Sequence, residues 1–216
     1  LHPGRTDVKA EDPYKWELAL KTNGEGRTGG IAEALKGVDA CIAASRSGPD
    51  VIKKEWISKM ADKAIVFACA NPVPEIWPWE AKEAGAKIVA TGRSDFPNQV
   101  NNSLGFPGIF RGTLDVRAKT ITDGMCIAAA FELAKVAEDR GLKEDAILPT
   151  MADWEVFPRE AVAVALKAID EGVSRIKPSR EALRERAFSM IKRAREETQS
   201  LMKQGFISPA PPGTTL

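Results

Sequence analysis

Three short, nearly all-apolar runs set the strongest limit on what this chain can fold into: VDACIAA at 38–44, AIVFACA at 64–70 and KIVAT at 87–91. Each has the length of a strand, and hydrophobicity that is continuous rather than alternating marks a strand buried on both faces. Between them lie single helical segments at 52–60 and 79–84, the second closed by Gly85. A strand, one helix and another strand imply parallel pairing through right-handed crossovers. The runs are therefore expected as adjacent parallel strands, half of a doubly wound α/β sheet.

The first 30 residues are polar and turn-rich, with a short helix expected at 14–20 and a helical turn at 31–36. Past Asn98 the pattern turns helical, with segments at 106–116, 123–140, 158–170 and 180–203. Asp123 is expected to cap the second and Gly141 to follow its end, while Pro178-Ser179 precedes the fourth. In that last helix Leu183, Ala187, Met190, Ile191, Ala194 and Leu201 keep a helical spacing with gaps, so it should pack on the body of the protein or on a second subunit. The tail SPAPPGTTL cannot continue a helix.

Charge and composition exclude several functions. With 31 Lys and Arg against 30 Asp and Glu, nothing favours nucleic acid or an anionic membrane as partner. No apolar run approaches the roughly 20 residues of a membrane span. His2 is the only histidine, which leaves zinc sites and Ser-His-Asp triads almost nothing to work with. Cys41, Cys69 and Cys126 sit in apolar runs without a C-x-x-C pair, as reduced, packed thiols of a cytoplasmic protein would. The opening Leu-His-Pro-Gly-Arg has neither an initiator Met nor a signal-peptide pattern, and reads as a start inside a longer protein.

Ligands of open parallel sheets bind beyond the carboxyl ends of the strands. Three loops follow such ends: Ser45-Arg46-Ser47-Gly48, Asn71-Pro72-Val73-Pro74-Glu75 and Gly92-Arg93-Ser94-Asp95. Asn71 stands where the second run stops, and Pro72 keeps the chain extended there. Its amide, donor and acceptor without charge, suits a hydroxy acid or a carboxamide; equally, an Asn-Pro turn ends a strand. Asn101-Asn102, ahead of Phe106-Pro107-Gly108, is a second pair of candidates, although adjacent asparagines before a helix also serve as caps. The glycines of GEGRTGG at 24–30 follow no buried strand, and they read as a connection rather than a phosphate loop.

Taken together, VFACANPVPE, IVATGRSDFPNQVNN, FPGIFRGTLDVRAKTI and TDGMCIAAAFELA are similar to segments of the shorter bacterial and archaeal malic enzymes. VDACIAASRSG with the following KKEWI, and ILPTMADWEV, resemble them too, so the likeness is strongest over 33–153. The resemblance implies a Rossmann-like NAD(P)-binding domain at 1–150, its first strands and Gly-rich turn lying upstream, and a helical extension at 151–216. The 180–216 part departs from the shortest members. The implied reaction is oxidative decarboxylation of L-malate to pyruvate and carbon dioxide, with NAD or NADP as oxidant and Mg²⁺ or Mn²⁺ as metal.

Carried over by position, Asn71 would contact malate and the nicotinamide ribose region, and Asn102 would bind the substrate with Asn101 supporting or sharing the contact. Ser45 and Gly48 would lie along the cofactor, and Gly92 would permit its close approach. The family's metal carboxylates, lysine base and tyrosine acid belong to the other, N-terminal portion; no catalytic or metal residue is assigned to this chain, and Tyr14 does not match the tyrosine's context. That portion, malate or pyruvate, and a second copy in a homodimer are the implied partners. Two readings stay open beside this one: a different dehydrogenase acting on an amino acid or a folate, and a non-catalytic dinucleotide-binding module. The choice between NAD and NADP stays open as well. His2 and Arg5 could meet a 2′-phosphate or stand on the surface.

Overall fold

A computed structural model describes residues 8–208, without the side chains of residues 8 and 10; His2, Arg5 and the Pro-rich segment from residue 209 lie outside the described residues. The chain divides into two compact units, Leu1–Val89 and Ala90–Leu216.

In the first unit α1 (Val8–Glu11), α2 (Pro13–Lys21) and α3 (Ile31–Ala34) precede β1 (Ala40–Ala43), α4 (Lys54–Ile57), β2 (Ile65–Ala68) and α5 (Pro78–Glu83). β3 (Ile88–Thr91) is third in a sheet of order β1-β2-β3. The three strands form a parallel sheet, as the apolar runs required. β1 and β2 pair with Ala40 opposite Ile65 and Ala43 opposite Ala68. Cys41, Ile57, Val66, Ala68, Ile76 and Ala81 form the core beside it, packed by Val38 and Trp56. Fully burying a side chain of valine or isoleucine size contributes about 1.5–3 kcal/mol, so this cluster carries most of the unit's stability.

Two expectations need correcting here. β1 is not buried on both faces: Cys41 is buried but Ile42 is 74% exposed, because the face that carries Ala40 and Ile42 is left uncovered by the described residues. The helix expected over 52–60 shrinks to Lys54–Ile57, since the backbone at Lys53 is extended, with φ −94 and ψ 146, and the helix can start only after it. The short α1 is an addition the sequence did not signal.

The second unit holds a 3₁₀ turn (Asn102–Leu104), α6 (Phe106–Asp115), α7 (Asp123–Arg140), α8 (Val156–Asp170) and α9 (Arg180–Lys203). Val164, Ala165 and Ala168 of α8 are fully buried and carry the core with Val116, Met125 and Leu183. Gly108 and Gly112, one turn apart on α6, let that helix lie against α8: a Cβ at Gly112 would reach Val164 Cβ at 2.8 Å. Asp115, also on α6, is buried and binds Arg111 at 2.6 Å and Arg186 of α9 at 3.0 Å. The helix over 123–140 is capped by Thr122, not Asp123, because the threonine hydroxyl accepts from Met125 N. Ser179 caps α9 as expected. Leu183 and Ala187 bury the first turns of α9, while Met190 and Leu201 stay 45% and 43% exposed. Residue 150, the expected domain boundary, falls between α7 and α8, which pack on one another within this unit.

Candidate functional site

Beyond the carboxyl ends of β1 and β2, the loops at 45–52 and 70–75 are stitched together by hydrogen bonds. Glu75, fully buried, accepts from Ser45 N at 2.7 Å and Ser45 Oγ at 3.0 Å with one carboxylate oxygen, and from Ala70 N at 3.0 Å with the other. Its own carbonyl accepts from Ile52 N at 3.1 Å, while the Val73 carbonyl accepts from Gly48 N at 3.2 Å. The Ser47 hydroxyl donates to Val73 O and accepts from Val73 N. Burial opposes ionisation of Glu75, yet the N–H groups of Ser45, Ala70 and Glu75 itself outweigh it and hold the carboxyl below its ordinary value. A charged, fully satisfied anchor thus lies beneath two loops.

Above that anchor the candidate residues are presented to solvent. Asn71 is exposed, its bond to Pro72 is cis, and its amide makes no hydrogen bond among the described residues. Ser45 is exposed, although its hydroxyl is committed to Glu75. Gly48 has φ +131, and no atom of the described residues lies within 4 Å of where a Cβ would stand, which leaves room for a ligand along its backbone. Cys41 and Cys69 are free thiols that burial pushes up from the ordinary value, so neither is poised as a thiolate nucleophile. Cys126 is exposed rather than packed, a correction to the sequence reading, because it lies on the solvent side of α7.

In the second unit the two neighbouring asparagines divide their labour. The Asn101 side-chain Oδ1 caps the 3₁₀ turn by accepting from Ser103 N at 3.0 Å, and Nδ2 donates to Gly92 O at 2.7 Å. Asn102 is exposed, and its side chain makes no hydrogen bond among the described residues. Gly92 is buried and held from its carbonyl side by Asn101. Arg93, the next residue, forms a two-pronged ion pair with Asp95, at 2.8 and 2.6 Å. Glu160 of α8 is the second buried carboxyl of note; neither of its oxygens has a partner among the described residues.

The family profile described as malic enzyme, NAD binding domain, matches residues 18–169. The chain belongs to the malic enzyme family. It is 46% identical over 173 residues to the bifunctional malic/malolactic enzyme of Bacillus subtilis, covering 80% of this chain and 40% of that protein. To the NAD-dependent malic enzyme of Geobacillus stearothermophilus it is 44% identical over 169 residues, covering 78% of this chain and 35% of that one. The crystal structure of Entamoeba histolytica malic enzyme superposes with a TM-score of 0.93 at 51% identity, over 98% of this chain and 44% of that chain. The chain thus spans about two-fifths of each of these three malic enzymes, and the Entamoeba likeness takes in the long α9.

Sequence reasoning missed Glu75 and Glu160. Both left a signal: Glu75 is the single charge in a Pro-flanked apolar stretch, NPVPEIW, and Glu160 falls on the stripe of 157, 161, 164 and 168 that helical spacing turns inward. Among the described residues, no group of three or more His, Cys, Asp or Glu is arranged to hold a metal ion, and no helix is long and apolar enough to cross a membrane.

Proposed function

We propose that this chain is the dinucleotide-holding part of an enzyme that oxidises and decarboxylates L-malate to pyruvate and carbon dioxide with NAD or NADP. The observation that carries the reading is the Glu75 anchor, which immobilises the loops after β1 and β2 while leaving the Asn71 amide and the Gly48 backbone open. That is what a parallel sheet offers a dinucleotide: fixed loops, close backbone approach and neutral polar groups. The bound nicotinamide supplies the hydride acceptor.

This chain's own residues contribute binding and orientation. Ser45 and Gly48 line the cofactor, Asn71 spans cofactor and malate, Asn102 binds malate, and Asn101 holds Gly92 and its own turn in place. Fixing substrate and oxidant in one geometry lowers the entropic part of the barrier. The described residues do not fit a divalent metal by themselves, so no step is assigned to one here; Mg²⁺ or Mn²⁺ would draw its ligands, like the acid and base, from the enzyme's other portion. The reading places the enzyme in the cytoplasm as a homodimer. Three free cysteines support the compartment, and the exposed Phe188, Met190, Leu201 and Met202 of α9 support a subunit contact.

The test is the product balance of the full-length enzyme. L-malate should yield pyruvate, carbon dioxide and reduced dinucleotide in equal amounts. Reduction with an amino acid or a folate but not malate would assign a different dehydrogenase, and dinucleotide binding without turnover would assign a non-catalytic module.

A further inference from the structure

Glu160 sits in the middle of α8, fully buried, with both carboxyl oxygens lacking a hydrogen-bond partner among the described residues. Its neighbours explain how it fits. A Cβ on Gly108 would overlap its carboxyl group, and one on Gly105 would stand 3.7 Å from Oε1. The two glycines therefore form the space that the Glu160 side chain fills. Gly105 closes the 3₁₀ turn that begins at Asn102, and it is the residue on which α6 starts. The acid thus lies directly beneath the segment that carries Asn101 and Asn102.

Among the described residues, neither a hydrogen bond nor an ion pair joins Glu160 to a charged group on the elements packed against α8. On α6, Arg111 is bound to Asp115 through one terminal nitrogen, its Nε being buried without a partner among the described residues, and Arg186 of α9 joins the same carboxylate. On α7, Glu132 and Asp139 bind Arg159 of α8 itself. With no counter-charge beside it, a buried carboxyl keeps its proton; burial pushes Glu160 up to about 8.

We propose that Glu160 is a positioning residue for malate, seating the Asn101–Asn102 turn through its contact with Gly105 and Gly108. The inference rests on the reading that Asn102 binds the substrate. While protonated, the side chain fills its cradle as a neutral group. Losing the proton places an unpaired charge in the apolar interface between α6 and α8, which favours separation of the turn from α8 and entry of water. Malate binding then weakens as the pH rises, without loss of any group that touches malate.

The experiment uses the full-length enzyme and its Glu160→Gln and Asn102→Ala variants, with KM for malate and kcat followed between about pH 6.5 and 9.5. In the unsubstituted enzyme, KM should climb above about pH 8, towards tenfold per pH unit at the limit, with kcat changing less. Glu160→Gln keeps the shape without the titration, and that limb of the KM profile should vanish. Groups titrating elsewhere are common to both proteins and cancel in the comparison. Superimposable profiles would overturn the proposal. Near-normal malate kinetics in Asn102→Ala would instead sink the substrate reading. The seat itself is then judged by amide hydrogen exchange over 101–108, compared between Glu160→Gln and the parent at each pH. Faster exchange in the parent above about pH 8 upholds the seat, and equal exchange refutes it.

Discussion

The Glu75 carboxylate accepts both the backbone N–H and the hydroxyl of Ser45, thirty residues earlier in the chain, at 2.7 and 3.0 Å. This one contact, completed by Ala70 N at 3.0 Å on the other oxygen, fixes the end of β1 to the end of β2. Glu75→Ala leaves three donors without their acceptor and should cost on the order of 3–5 kcal/mol. Glu75→Gln retains one good acceptor and should cost about half as much. Urea unfolding of both variants checks the ranking, and KM for the dinucleotide should rise with the loss.

The same carboxyl makes a prediction in pH. Its folded value is depressed below the ordinary 4.5, so its contribution is fully present above that pH and is lost as pH falls through the folded value. Thermal unfolding of the parent below about pH 4.5 should therefore be steeper in pH than that of Glu75→Gln. Parallel curves would show that Glu75 is not ionised in the fold.

Glu160 has the opposite sign. Its folded value is raised to about 8 from 4.5, so the folded state holds a proton that the unfolded chain has already released. Stability falls as pH rises from about 4.5 to about 8 and levels beyond it. Glu160→Leu should remove this dependence and stabilise the protein at pH 8, by on the order of 3 kcal/mol. Calorimetry across that range decides the matter.

Asn101 and Asn102 should separate cleanly. Asn101→Ala removes a cap and the tie to Gly92, at a cost of about 0.5–2 kcal/mol of stability. Asn102→Ala removes no hydrogen bond within the described residues and should leave the unfolding midpoint nearly unchanged. Equal midpoints for the two variants would contradict this division.

Much of the architecture was legible because buried parallel strands write themselves as continuous apolar runs: VDACIAA, AIVFACA and KIVAT each became a strand. Helix ends followed local chemistry, with Ser179 and Gly141 where caps should be. What the sequence hid was decided by tertiary partners. Thr122 and Asp123 are both able caps, and only the fold shows which oxygen meets Met125 N. Ile52 looked helical, but the loop that hands its N–H to the Glu75 carbonyl leaves Lys53 extended, and the helix starts only after it. Ile42 looked buried because a run of apolar residues cannot report which face of a strand is left uncovered. Of the candidate site, Asn71 stood out at the end of an apolar run and Asn102 ahead of a helix, whereas Glu75 and Glu160 lie beneath the surface, where pattern alone does not distinguish an anchored acid from a solvated one.

The most direct test of the account is kcat/KM for L-malate in the full-length enzyme carrying Asn71→Ala or Asn102→Ala. A hydrogen bond to a charged carboxylate contributes about 1.5–3 kcal/mol, which predicts a fall of roughly ten- to a hundredfold in either variant. Dinucleotide affinity should change much less in Asn102→Ala than in Asn71→Ala. Near-normal malate kinetics in both variants would contradict the claim that this chain orients the substrate.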